Sequence, residues 1–310
     1  MNALDVITAG PLISIQDFGR FGAQRYGLTP SGAMDRLSVA AANALVGRPL
    51  SAPAIEIGPT KTMFVARGGP LCVALTGALR FARIGDDACP LYRTFTLRDG
   101  DTLTLDAARK GVFSYLAVAG DLTGEAMFGS FSVNTRAGLG SPYPRPLRSG
   151  DRLAFENVTS LPDHSMIPPV FGEGDIRVVP GPQYDEFGKS AEIFCNSLWH
   201  ISPTSDRMGY RLEGPALTHA GNFNIVSDGT VDGSIQVAGG QPIVLMKDRG
   251  TTGGYPKIAT IISADLGRFA QTRPRHTLRF VAIDVAAAQQ EARAFHALLQ
   301  SLPDRIRNTA

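Results

Sequence analysis

Several features that mark the simpler functional classes are scarce or missing in this chain. Its three cysteines, Cys72, Cys89 and Cys195, stand far apart with no CxxC and no Cys/His cluster, which argues against a disulfide framework and against a zinc site. Cys72 and Cys195 lie in apolar contexts and read as small buried residues. The five histidines, His164, His200, His219, His276 and His296, show no ligand spacing, so no metal is expected. Charge of one sign is missing too: 30 Lys and Arg face 28 Asp and Glu, a net charge of +2, and such a balance offers no field for nucleic acid or an anionic membrane. No apolar run approaches the ~18–20 residues of a membrane-spanning helix. The opening MNALDVITAG lacks the basic region and apolar core of a signal peptide, and the cytoplasm is the expected location. Walker A, Gly-x-Gly-x-x-Gly after a strand, and Gly-x-Ser-x-Gly are all absent, so no standard nucleotide loop is expected within the chain.

What is present is mostly β. A length of 310 residues favours two domains over one. Residues 4–15 read as a strand pair around Ala9-Gly10-Pro11. From Ala54 to Ala119 short apolar runs alternate with turn residues, the pattern of a closed or nearly closed antiparallel barrel, because a parallel sheet would need helices between its strands. Leu97-Arg98-Asp99-Gly100-Asp101-Thr102-Leu103 is echoed by Leu147-Arg148-Ser149-Gly150-Asp151-Arg152-Leu153, and both copies read as hairpin turns. Residues 120–150 carry few strand signals, and a loop of that length is functional or shielding. The polar, proline-bearing stretch from Asn157 to Gly172 marks the boundary, dividing the chain into domains 1–165 and 166–310. Helices are few. Ser31 or Asp35 can cap an alanine-rich helix over Leu37–Val46, inside which Asn43 is either exposed or turned inward onto a loop or ligand. A short helix is expected around Tyr184–Lys189, and another over Asp284–Leu298, capped by Asp284.

One stretch, Val231 to Leu266, reads as a site. Strands at Ser234–Val237, Pro242–Met246 and Ile258–Ser263 enclose Lys247-Asp248-Arg249-Gly250-Thr251-Thr252-Gly253-Gly254-Tyr255-Pro256-Lys257. Glycines there let backbone N–H groups approach a ligand, and charges beside packed strands are costly unless paired or used. The alternative is an ordinary hairpin with its charges in water. Met246-Lys247-Asp248 is similar to a biotinylated Met-Lys-Met but lacks the second methionine, so Lys247 reads as a surface charge. Upstream, Arg207 and Arg211 are either a fork for a carboxylate or phosphate or a surface salt-bridge pair.

The motifs GSIQV, GQPIVLMKDRGTTGGYPKIATIISADL, SDRMGYRLEG, IQDFGRFGAQRYGLTPSGAMD and AANALVG together resemble the KipA family. That family includes the C subunit of the bacterial ATP-dependent 5-oxoprolinase and is similar to the carboxyltransferase domain of urea carboxylase. The resemblance runs in order from about Val6 to Phe280. It implies a mainly β fold with a few helices, built as two tandem cyclophilin-like β-barrel domains, with a site between them. It also implies that the catalytic residues are Asp228, Lys257, Arg207 and Arg211, and that Gln16, Asp17, Ser31, Asp35, Asn43, Gln236 and Tyr255 bind substrate. Two departures bear on the substrate: Gly129-Ser130-Phe131-Ser132-Val133-Asn134 stands where relatives usually read Gly-Ser-x-Ser-Thr-Asp, and Gln236-Val237-Ala238-Gly239-Gly240 is one residue shorter than their usual turn.

The leading functional expectation is the C subunit of an ATP-dependent 5-oxoprolinase, opening a cyclic amide, the lactam of 5-oxoproline, to glutamate. Its partners would be a KipI-like protein, equivalent to the B subunit of 5-oxoprolinase, and a protein like the A subunit. An amide is a poor electrophile, so ATP, in a site shared with a partner, would activate the oxygen, Lys257 with Arg207 or Arg211 would stabilise the developing charge, and Asp228 would position water. The first alternative is a carboxyltransferase acting on urea or a related amide, with biotin on a separate carrier. The second is a regulatory protein that antagonises a KipI-like kinase inhibitor.

Overall fold

In the computed structural model of the chain, residues 1–220 and 224–308 are described. They form two compact units, neither contiguous: Met1–Phe21 with Ser31–Val170 and the residues from 298 on, and Gly22–Pro30 with Phe171–Ala297. The mainly β expectation holds, with four α-helices among the described residues: α1 (Arg36–Leu45), α2 (Lys189–Asn196), α3 (Leu266–Ala270) and α4 (Val285–Gln300). None is long and apolar enough to cross a membrane.

The first unit holds two antiparallel sheets. One has seven strands in the order Asp121–Leu122, Arg152–Glu156, Asn2–Thr8, Thr62–Arg67, Thr102–Leu105, Ala82–Ile84 and Asp87–Ala88. The other has five, in the order Ile13–Gln16, Ala54–Ile57, Lys110–Val118, Leu71–Leu79 and Thr94–Leu97. Leu4, Val6, Ile13, Ile15, Ile57, Phe64, Leu103, Leu116 and Phe155 belong to one buried apolar cluster drawn from both sheets. Burial follows from what covers each face. Thr62–Arg67 alternates, with Thr62, Phe64 and Ala66 inward, whereas Ile13–Gln16 and Ala54–Ile57 are buried at every position, as strands covered on both faces must be.

Helix α1 supplies part of that second cover by packing on Lys110–Val118, Leu71–Leu79 and Ala54–Ile57. Its inward alanines, Ala40, Ala41, Ala42 and Ala44, permit a close approach to the sheet. Asp35 is the N-cap, its carboxylate accepting from Leu37 N, Ser38 N and Ser38 Oγ, which satisfies donors that a helix start leaves unpaired.

Two local expectations change. Asn2–Thr8 and Ile13–Gln16 do not pair with each other; they enter different sheets. Nor are the two Leu-Arg-x-Gly-Asp turns hairpins: Thr94–Leu97 and Thr102–Leu105 lie in different sheets, and the second turn leads from the long loop after Leu122 into Arg152–Glu156. The repeat nevertheless has one geometry. Asp101 Oδ2 accepts from Arg98 N and Asp151 Oδ2 from Arg148 N, both at 2.7 Å, and Gly100 and Gly150 take φ of 85° and 93°, a region open to glycine at little cost. Each turn then docks on a strand of the seven-stranded sheet, Gly100 N on Ala66 O and Gly150 N on Val6 O.

The second unit is a nearly closed barrel. Its eight-stranded sheet runs Thr277–Leu278, Trp199–Ile201, Gly209–Glu213, Gln241–Leu245, Ser234–Ala238, Lys257–Ile261, Ile176–Pro180 and Phe280–Ala282. The two edge strands are consecutive in the chain, with Arg279 alone between them, so the sheet curls until its edges meet. Phe280 stacks on Phe194 of α2 at 4.7 Å and lies 6.3 Å from Phe269 of α3, which meets Tyr210 at 5.4 Å. Large rings at these spacings fill the centre.

Candidate functional site

In the first unit the N-terminal motif residues hold the loop that follows Leu122. Asp17 Oδ1 accepts from Gly19 N, Ser130 Oγ and Ser132 Oγ, and Oδ2 accepts from Phe131 N. Its carboxylate is therefore engaged within the protein. Gln16, fully buried, donates from Nε2 to Ser14 Oγ and Val133 O, and its Oε1 is buried without a hydrogen-bond partner among the described residues. Ser31, buried at a φ of 54°, accepts from Asn134 Nδ2 at 3.0 Å. The departing loop Gly129–Asn134 is thus tied to the Gln-Asp and Ser-Gly motifs. It also shields an edge: Val133 N and Leu147 N donate to Ile15 O and Ile13 O, covering an otherwise open strand. Asp35 serves as the helix cap described above, and its backbone N donates to Tyr115 Oη, which donates to the buried Glu56. Asn43 is turned inward and donates to Leu50 O and Ala52 O, so the observed contact of this residue is with a loop.

In the second unit the charged stretch is no hairpin. Gln241–Leu245 pairs with Ser234–Ala238 and Gly209–Glu213, while Lys257–Ile261 pairs with the other side of Ser234–Ala238. Residues 247–256 therefore cross over the strand between them and must fold back on themselves. The short ladder Asp228–Gly229 with Thr252–Gly253 anchors this crossover. Lys257 follows it, 4% exposed, with Nζ donating to Asp228 Oδ2 at 2.5 Å and to Gly229 O at 3.0 Å. The hydrogen bond from Lys257 holds the exposed Asp228 carboxyl below the ordinary aspartate value of 3.8, so it is ionised at neutral pH. A buried amine facing an exposed carboxylate can polarise a carbonyl and orient water beside it.

The walls around Lys257 are backbone and amide. Gln183 Oε1 accepts from Lys257 N at 3.0 Å. A Cβ added to Gly181 would lie 2.3 Å from Lys257 O, so only glycine permits that approach. Gln236, 6% exposed, donates to Tyr255 O and presses on Gly253, where a Cβ would lie 2.3 Å from its Nε2. Tyr255 itself is 43% exposed.

Every other charge of the crossover is paired. Asp248 holds Arg207 through Oδ2 to Nε at 2.8 Å and Oδ1 to Nη2 at 3.2 Å. Arg211 lies on the strand Gly209–Glu213, exposed, between the buried Tyr210 and Leu212. The arginines thus have different surroundings: one sits in an ion pair and the other is turned to solvent. Lys247 is not a surface charge. It is 7% exposed and bonded to Asp232 Oδ2 at 2.8 Å, with Arg249 on Oδ1 of the same carboxylate. Burial pushes the Arg249 guanidinium below its ordinary value. Sequence reasoning did not single out Asp232 or Gln183, and named Arg249, Ser130 and Ser132 only as members of their motifs. For Asp232 a signal existed, since two cations in a strand-flanked loop require a nearby carboxylate. No group of metal-ligating side chains occurs among the described residues.

A family model described as carboxyltransferase domain, subdomain A and B, matches residues 26–282. The chain belongs to this carboxyltransferase-domain family. Among curated relatives it is 36% identical to the C subunit of 5-oxoprolinase from Escherichia coli over 310 residues, 98% of this chain and 99% of that protein. It is 35% identical to the corresponding 5-oxoprolinase C subunit of Haemophilus influenzae, over 92% of this chain and 93% of the relative. Among solved structures it matches the urea carboxylase of Kluyveromyces lactis with a TM-score of 0.88 at 25% identity, covering 98% of this chain and 30% of that one. The resemblance carried by the sequence motifs is therefore that of the family itself, and the mainly β carboxyltransferase-domain fold is shared with a structure of known architecture.

Proposed function

We propose that this member of the carboxyltransferase-domain family is the C subunit of an ATP-dependent 5-oxoprolinase, an amide-bond hydrolase that opens the lactam of 5-oxoproline to glutamate. The observation that carries the reading is the end-to-end match to the Escherichia coli 5-oxoprolinase C subunit, 98% of one chain against 99% of the other. A relative that works within a multi-subunit enzyme implies partners, and we assign these as an A-like protein and a KipI-like, B-like protein in the cytoplasm. ATP supplies the driving force for opening a stable amide; with no standard phosphate loop in the sequence, its site is shared with a partner.

Lys257 donates to the lactam oxygen as charge builds there, and burial makes that donation stronger than it would be in water. Asp228, ionised and solvent-facing, orients the attacking water and takes its proton. ATP's terminal phosphoryl would pass to the lactam oxygen with ADP leaving. The water oxygen then bonds to the activated carbon, the carbon–nitrogen bond breaks as the proton passes to the leaving nitrogen, and a second water releases phosphate from the resulting acyl phosphate to give glutamate. Arg211, exposed on the strand Gly209–Glu213, binds the carboxylate of the substrate, while Arg207 holds the crossover through Asp248. Gln236 and Tyr255 shape the same loop, and in the first unit Gln16 and Ser31 serve substrate binding on motifs that Asp17 and Asp35 hold in place.

The test is reconstitution with the two partner proteins, measuring glutamate formed from 5-oxoproline with and without ATP. ATP-dependent glutamate, lost in Lys257→Ala while the complex still assembles, supports the reading; an intact complex that consumes another amide instead overturns it. A second reading, a carboxyltransferase acting on urea with biotin on a separate carrier, is favoured by the likeness to the urea carboxylase structure. Inhibition of the reconstituted activity by avidin separates the two, because the hydrolase needs no biotin.

A further inference from the structure

The contact between Lys257 and Asp228 is made across a strand pair of only two residues a side, Asp228–Gly229 with Thr252–Gly253. A ladder that short does not hold itself. What fixes it lies one step deeper. Arg249, 4% exposed, donates through Nη1 to Asp232 Oδ1 and through Nη2 to Thr230 O. Thr230, also buried, donates from Oγ1 to Gly250 O at 2.7 Å and from N to Thr251 O at 3.0 Å. Next come the paired Gly229 and Thr252, then Asp228 and Gly253, and finally Lys257 Nζ on both Asp228 Oδ2 and Gly229 O. One continuous set of hydrogen bonds therefore joins the Arg249 guanidinium to the Lys257 amine. Asp232 secures the arginine and is itself secured by Lys247.

We propose that Arg249, seated on Asp232, is the positioning residue of the Lys257–Asp228 pair, an inference resting on the reading that this pair serves the reaction. Arg249 hydrogen-bonds to Asp232 and Thr230 rather than to Lys257 or Asp228. It acts by clamping residues 228–231 against 249–253, so that the largely exposed Asp228 stays within reach of a buried amine. The planar fork matters, because one guanidinium spans a carboxylate and a carbonyl at once; a lysine at this place keeps the charge pair and loses the second bond.

The experiment compares wild type, Arg249→Lys and Arg249→Met in two readouts. The first needs no substrate: reductive methylation with formaldehyde and cyanoborohydride, following Lys257 by peptide mass spectrometry against the exposed Lys110 as internal standard. The second is kcat and KM of the reconstituted complex. Arg249→Met is expected to raise Lys257 methylation relative to Lys110 roughly tenfold, and to lower kcat on the order of 100-fold with KM little changed, the cost of misplacing a reacting group by about 1 Å. Arg249→Lys is expected to recover part of both. Unchanged Lys257 reactivity in folded Arg249→Met overturns the proposal, as does an Arg249→Lys variant no better than Arg249→Met. Should Arg249→Met fail to fold, Arg249→Lys carries the test alone, and wild-type reactivity with wild-type kcat overturns the proposal. A rise in Lys257 reactivity in proteins that, wild type included, never make glutamate sustains the positioning role and removes the oxoprolinase reading instead.

Discussion

Lys257 Nζ lies 2.5 Å from Asp228 Oδ2, with 5% of the lysine side chain and 62% of the aspartate side chain exposed. The pair is asymmetric: the cation is desolvated and its partner is hydrated. Removing one member therefore differs from removing the other, because a buried amine stripped of its carboxylate stays unsolvated, while a solvent-facing carboxylate stripped of its amine is rehydrated.

Lys257→Met is accordingly expected to leave the melting temperature near that of wild type while lowering kcat by roughly 10²–10³-fold, the usual consequence of losing one donor to a developing oxyanion. Asp228→Asn is expected to lower both. Differential scanning calorimetry beside steady-state kinetics on the two variants separates these outcomes.

Gly181→Ala should damage the fold where Gly254→Ala does not. The first places Cβ 2.3 Å from Lys257 O and 2.9 Å from neighbouring backbone, whereas the second meets nothing closer than 3.5 Å. Backbone cannot step aside as a side chain can, so we expect Gly181→Ala to cost about 1–3 kcal/mol. Urea midpoints of the two variants provide the check.

Asp17→Asn replaces an acceptor that meets Gly19 N, Phe131 N and two serine hydroxyls by a group that must also donate. We expect a loss of roughly 2–3 kcal/mol in urea unfolding, since hydrogen bonds to a buried charged group carry that order of energy. Faster proteolysis within 123–140 should accompany it, because that loop is fastened to Asp17.

Acid should weaken the first unit through Asp5. Its carboxylate bridges Arg152 and Arg67 on the strands to either side, and these contacts, Arg152 foremost, lower its pKa from 3.8 to about 2. A folded-state value below the unfolded one means the stabilisation is complete above pH 3.8 and is lost as pH falls through about 2. Asp5→Asn should therefore be less stable than wild type at pH 7 and should lose less between pH 4 and pH 2. Urea midpoints measured across that interval follow both chains.

Much of this protein was legible along the chain, because the signals are local. An aspartate ahead of an alanine-rich run sets the start of α1, for the cap needs only residues three apart. The repeated Leu-Arg-x-Gly-Asp is a turn wherever it occurs, since Asp101 and Asp151 bond the backbone three residues before them. Membership of the family was likewise carried by contiguous motifs from Ile15 to Leu266. Tertiary structure alone decided which strands share a sheet, because a turn of one local form can join two strands or pass between two sheets. It also decided the fate of the charges. Lys247 and Lys257 flank the same glycine-rich loop, and nothing local tells them apart. The crossover turns Lys247 inward to Asp232 and sets Lys257 against a carboxylate twenty-nine residues upstream. A desolvated charge is stabilised by whatever the fold brings to it, and that partner is a property of three-dimensional packing and not of sequence spacing.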